Sequence, residues 1–445
     1  MLPLIESGIP VRSQFFALAL LILSTMSSSA IGQGIVLRDA REAAIPIAIQ
    51  NFRTESEGLT RVSTDLEASL TANLIFSRLF RVIPSEAIMD EATKGELGEI
   101  QVGPWRQTGA QFVVRASVSQ RDNETSLKAW MFRIHDGRKL FEKTYSTRRT
   151  DYEVLAHQLG DDIVQQVTGE PGLFSTKIAF VYQAPNSRHK EIWVMDFNGR
   201  NPEPLIQNNR TNLSPTWTLD GQNIIFSSAS LKGWDLWRFE RRRNRSTQLT
   251  NFPGSALGPS MHPNGREMVV ALSKDGESDL YLLDMNGRER RRLTRRSEVI
   301  DLAPSFSPDG NFLCFSSGRM GALHVFRMEL QSLQSTRLTR VGTLNDSCAW
   351  HPKENTILFQ GMDVDREFDI FSMNHEGNQM SRITFDARHN ETPSWSPDGQ
   401  LVVFSSRRSG RNEIHVMKAD GSQVTKITNL PGEATMPSWS PRLGY

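Results

Sequence analysis

TPSWSPDG, residues 392–399, is one of six copies of a short phrase. The others are SPTWTLDG from Ser214, GPSMHPNG from Gly258, APSFSPDG from Ala303, SCAWHPKE from Ser347 and MPSWSPRLG from Met436. Each reads as a small or Pro residue, a small polar residue, a bulky apolar residue and a turn. The bulky residue falls at Trp217, Met261, Phe306, Trp350, Trp395 and Trp439, so successive copies lie 44, 45, 44, 45 and 44 residues apart. A period of that length marks a repeat architecture.

Each period holds the same pieces. A β-rich run follows the phrase, as in IIFSS at 224–228, FLCFSS at 312–317 and VVFSSR at 402–407. An alternating run comes next, such as DLYLLDMNG at 279–287 or EIHVMKADG at 413–421, then a short strand such as RRLT or TKIT. Asn-Gly and Asp-Gly between runs supply turns with positive φ. Four short strands per unit describe a β-propeller blade. The region opens in mid-unit, with IAFVYQ at 178–183, and ends on a first strand, MPSWSP at 436–441. The two fragments complement each other, which predicts six blades closed by the C-terminal strand.

The chain has 445 residues and a net charge of +1, which gives no global attraction to nucleic acid. FFALALLILS at 15–24, followed by small residues to Ala30, reads as a secretory signal over 1–30, so an exported product is expected. A monomer is the separate expectation for its state of association. Arg12 is the only cation before that run, which leaves translation from Val11 as an alternative start. Residues 31–168 do not repeat. They read as a tail and a strand (IPIAIQNF), a helix over 59–80, a strand (FRVIP), three strands between 111 and 147 and a helix over 151–168. The predicted order is therefore signal 1–30, α/β domain 31–168, linker 169–173 and propeller 174–445. Cys314 and Cys348 read first as buried small hydrophobes, with a disulfide as the alternative.

IPIAIQNF, LGDDIVQQVTGEPG, FSTKIAFVYQ and the PSWSPDG repeats, in this order, resemble the TolB family, periplasmic components of the Tol-Pal system of Gram-negative bacteria. The fourth copy departs from the pattern, lacking the first Pro and the Asp-Gly turn. The resemblance implies a non-enzymatic adaptor without cofactor or metal. It implies that the propeller binds the lipoprotein Pal, that the mature N-terminus engages TolA, and that the assembly serves outer-membrane integrity and constriction at division. On position, the TolA tail falls at Gln33, Ile35, Leu37 and Arg38.

The Pal-docking face is expected on loops that enter the first strands: 211–213, 255–257, 300–302, 344–346, 389–391 and 433–435. Leu257, Gly258 and Leu302 would supply contact, and Asp301, Asp346, Glu391 and Glu433 would steer. Competing readings are an exported propeller hydrolase or lyase and a peptidoglycan-binding module. The first would need a G-x-S-x-G elbow with its partners, and GSALG at 254–258 has Ser in the wrong place. No His-Glu-x-x-His or Cys/His metal spacing occurs. His262 and His351 occupy turn positions, and the runs RRRNR (241–245) and RERRRLTRR (288–296) read as a charged outer edge, with anionic-surface binding as the alternative.

Overall fold

The structure is a computed structural model. It describes residues 44–148, 151–295, 298–340, 342–362, 366–385 and 388–444. The signal segment and the tail residues Gln33, Ile35, Leu37 and Arg38 lie outside the described residues. The described residues all fall within one compact unit, Arg41–Tyr445.

The amino-terminal part is a six-stranded mixed sheet. Its path runs Phe80–Ile83, Ile45–Ile49, Phe112–Arg121, Glu124–Arg133, Arg138–Thr147, and the short Arg53–Thr54 pairs with Phe112–Arg121. Ile45–Ile49 pairs in parallel on both sides, and the last three strands form an antiparallel meander. The two long helices are Thr60–Phe76 and Glu153–Thr168. They bury Leu66, Leu70 and Leu74, and Leu155, Leu159 and Ile163, at the helical spacing read from the sequence. The first helix stops before residue 80 because Arg78 turns to φ 60°. The second ends at Gly169, whose left-handed backbone (φ 85°) lets its N–H reach the Gln165 carbonyl. Two short helices, Asp90–Thr93 and Val102–Gln107, escape a periodicity reading because neither completes two turns. The buried Arg115 guanidinium organises this loop region. It donates to Gln50 Oε1 at 2.6 Å and to the Glu96 carbonyl at 2.7 Å.

The repeats build propeller-like antiparallel sheets. One contains Asp301–Phe306, Phe312–Met320, Ala322–Glu329 and Ser335–Arg337 in that order, and the units from Leu344 and Asn390 repeat it. The units from Asn212 and Gly254 merge into one eight-stranded sheet through a two-residue parallel bridge, Gly233–Trp234 to Gly254–Ser255. The final strand, Glu433–Trp439, pairs with Lys177–Gln183, placing Glu433 opposite Gln183 and Trp439 opposite Ile178.

The phrase has a backbone cause. In every first strand the register shifts just before the bulky residue. The residue at the shift has a left-handed backbone: Ser214, Gly258, Ala303, Ser347, Thr392 and Met436 have φ between 49° and 58°. Pro follows in five copies, where a bulge asks for no ladder N–H. The bulky residue then points into the interface between sheets. Trp217 Nε1 donates to the Ser438 carbonyl and Trp395 Nε1 to the Ala349 carbonyl, each at 3.1 Å. The turn that closes the phrase is held by a short polar side chain. The Ser307 hydroxyl donates to Asp309 Oδ1 at 2.5 Å and accepts the Phe312 N–H at 2.9 Å. In the departing fourth copy His351 takes over, its Nδ1 accepting the N–H groups of Lys353 (3.1 Å) and Glu354 (2.8 Å).

Candidate functional site: the mouth of the central cavity

The residue after each phrase Pro, or after Cys348 in the fourth copy, is small. Thr216, Ser260, Ser305, Ala349, Ser394 and Ser438 together line one open cavity of about 510 Å³. The ends of the two long amino-terminal helices and the residues after them meet the repeat sheets at the end formed by their 1–2 and 3–4 turns. There Arg78 donates to Gln423 Oε1 (3.0 Å) and Thr425 Oγ1 (3.1 Å), Arg200 pairs with Glu153 (3.2 Å), and Lys353 pairs with Glu170. The opposite end carries the starts of the first and third strands and is the face expected to dock a partner.

The segments read as entry loops are mostly strand. Residues from Asn212, Gly254, Asp301, Leu344, Asn390 and Glu433 onward already belong to first strands. Leu302, for example, faces Ser316 in the ladder and Glu391 faces Ser405. This changes what the predicted residues can do. Asp301 is fully buried and ion-paired with Arg319, Nη2 to Oδ1 at 3.2 Å. It occupies the place of the buried Asn212, Asn345 and Asn390 in other units. A buried, paired carboxylate steers nothing, so Asp301 leaves the docking set.

Leu257, Gly258, Leu302, Asp346, Glu391 and Glu433 are partly exposed. Glu433 accepts the Asn412 N–H at 2.8 Å, and Asp346 accepts the Ser347 N–H at 2.6 Å. Burial pushes the Glu391 carboxyl above its ordinary range, with Asp346 adding to the rise and His389 and Arg407 opposing it. Apart from Ile300, which belongs to the 300–302 segment, sequence reading missed the exposed loop tips at this end, which are apolar and basic. Leu231, Ile300, Met320 and Phe385 are exposed, and Arg210, Lys232, Arg340, Arg388 and Arg407 are exposed around them. The available signal was an apolar residue at a hairpin tip beside a cation, as in Leu231-Lys232.

Cys314 and Cys348 form a disulfide with Cα atoms 6.4 Å apart, joining the second strand of one sheet to the first strand of the next. The reading of two separate buried thiols is therefore replaced by its alternative. His262 Nδ1 accepts the Asn264 N–H at 3.0 Å, a turn role like that of His351. Several arginines of the basic runs are engaged locally. Arg241 lies 5.3 Å from the Trp217 ring centroid, Arg290 pairs with Asp284 at 3.0 Å, and Arg292 pairs with Asp279 at 2.5 Å. Among the described residues no helix is long and apolar enough to cross a membrane.

Comparison with known proteins places this geometry. The TolB amino-terminal domain model matches residues 34–139, and the TolB beta propeller domain model matches 164–443. A Tol-Pal system protein TolB from Desulfosudis oleivorans is 33% identical over 259 residues, 56% of this chain and 58% of its own. One from Anaeromyxobacter dehalogenans is 28% identical over 283 residues, 62% of this chain and 64% of its own. The matches thus span less than two thirds of either relative. The crystal structure of TolB from Acinetobacter baumannii superposes with a TM-score of 0.78, covering 90% of this chain and 97% of that one at 23% identity, a likeness of fold.

Proposed function

Because the chain belongs to the TolB family, we propose that it is a non-enzymatic periplasmic adaptor of the Tol-Pal system, built as a six-bladed propeller closed by its C-terminal strand. The pairing of Glu433–Trp439 with Lys177–Gln183 supports the closure, and six bulged first strands support the blade count. The propeller mouth would bind Pal and residues 31–38 would engage TolA, in the service of outer-membrane integrity and constriction at division. Domain limits at 31–168 and 174–445 belong to the same proposal.

One observation carries the Pal placement. The end away from the amino-terminal contacts carries the starts of all six first strands, and Leu257, Leu302, Asp346, Glu391 and Glu433 are partly exposed on those strands. A shallow surface of this kind suits a folded partner, with buried apolar contact at the centre and charge at the rim. Calorimetric titration of the mature chain with Pal tests it. Joint reversal of Asp346, Glu391 and Glu433 to Lys is expected to weaken binding tenfold or more, about 1.4 kcal/mol. An unaltered Kd in a folded variant would remove the mouth as the docking site. Deleting residues 31–38 is expected to abolish TolA capture while leaving Pal titration intact.

A further inference from the structure

A groove of about 690 Å³ lies at the partner-facing end, between the unit completed by Glu433–Trp439 and the unit beginning at Asn212. Three loops form its rim, and each contributes a cation: Arg188, Arg210 and Lys232. All three are exposed, and none takes an ion-pair partner among the described residues. Asp235 lines the wall but is buried, and its Oδ1 accepts the Thr250 hydroxyl at 3.4 Å. It forms no ion pair with the rim cations among the described residues, and the lining keeps an excess of positive charge, three cations to one carboxylate. Trp237 also lines the groove, with the Arg210 guanidinium carbon 5.7 Å from its ring centroid. Leu231 stands at the lip, fully exposed.

The next unit shows the contrast. Its equivalent loop carries Lys274, which pairs with Asp275 (3.3 Å) and Glu289 (2.8 Å), while Arg292 pairs with Asp279 and Asp275. Cations at this end are thus neutralised internally in one unit and left unneutralised in its neighbour. Three cations without ion-pair partners among the described residues, around an aromatic floor and with one bare leucine at the lip, form a surface complementary to carboxylates flanking an apolar side chain.

We propose that this groove binds an acidic, extended peptide segment of a partner protein. Carboxylates sit on Arg188, Arg210 and Lys232, and a bulky apolar side chain packs against Leu231 and Trp237. A saccharide needs an open indole face, and Arg210 already covers this one. A lone phosphate has no use for Leu231. The site lies off the channel mouth and does not depend on the adaptor reading.

Fluorescence anisotropy with the mature chain tests this, using a labelled octapeptide of four glutamates, two leucines and two glycines. Its partner probe has glutamine in place of glutamate. The acidic peptide is expected to bind at least tenfold tighter than the glutamine peptide, and to weaken at least tenfold between 50 and 300 mM salt. Joint Arg188→Glu, Arg210→Glu and Lys232→Glu substitution is expected to weaken it at least thirtyfold with an unchanged melting temperature. Should that triple variant fold poorly, Leu231→Ser, at a fully exposed position, is expected to cost about fivefold while keeping the salt dependence. Equal binding of the two peptides, or wild-type affinity in the triple variant, overturns the proposal. So does displacement of the peptide by millimolar phosphate or by an N-acetylglucosamine tetramer together with indifference to Leu231→Ser, which assigns the groove to those ligands instead.

Discussion

His415 is buried, its Nδ1–H directed at the Glu413 carbonyl 3.1 Å away and its ring set against Phe404. Burial brings its pKa down to about 4, with Arg408 and Lys426 also lowering it and the Glu413 carbonyl and carboxylate opposing. His157, His324 and His351 are lowered by burial too. The unfolded chain then binds more protons than the folded one below about pH 6.5, so stability is full above that value and lost as pH falls toward 4. Denaturant melts are expected to show this loss, with His415→Gln removing on the order of 2 kcal/mol of it. His324 stands where Asp279 and Asp369 stand in other units, facing Arg337 at 3.0 Å. His324→Asp is expected to raise the midpoint at pH 5 by restoring that pair, and a fall would refute the equivalence. Asp301 shows where sequence reading stops at single residues. Its burial depends on Arg319, brought to it by strand pairing, and by residue type it is indistinguishable from a surface acid.

The bulged first strand is the most legible element. A left-handed residue, a Pro and a large apolar residue leave a local signature that needs no knowledge of the neighbours. Contacts between units leave none: one was read only as an alternative, and another was not read at all. The Cys314–Cys348 disulfide depends on which strands lie side by side. Its loop of 34 residues predicts that Cys314→Ala with Cys348→Ala costs about 3–4 kcal/mol, read as a lower denaturant midpoint than in the oxidised wild type. Gly287 was legible as an Asn-Gly turn residue, and its φ of 80° agrees. A Cβ there would also lie 2.2 Å from the Leu249 carbonyl oxygen of the preceding unit, backbone that cannot step aside. Gly287→Ala is therefore expected to cost about 2–3 kcal/mol, from the strained φ and the clash together. An exposed hairpin glycine free of that carbonyl would cost less, so a loss under about 0.5 kcal/mol would contradict the close approach.

For the molecule as a whole, the repeat period and the amino-terminal alternation placed the main sheets and both long helices. They left out the short helices around Arg115, because a helix under two turns carries no periodic stripe. The inferred closure rests on Trp439, which is buried and donates to Thr176 Oγ1 at 2.9 Å. Trp439→Ala is expected to cost about 3–5 kcal/mol and to broaden unfolding, measured by calorimetry. A small, sharp shift would mean that the seam contributes little.

That seam joins residues 263 positions apart, Thr176 and Trp439. At translation rates of 5–20 residues per second, the strand carrying Trp439 is made roughly 15–50 s after its partner. Throughout that interval Ile178, Phe180 and Tyr182, all buried in the finished protein, sit on a strand with one edge unsatisfied. The nascent polypeptide thus carries an aggregation-prone flank for most of its synthesis, and a holding chaperone has a defined segment to cover.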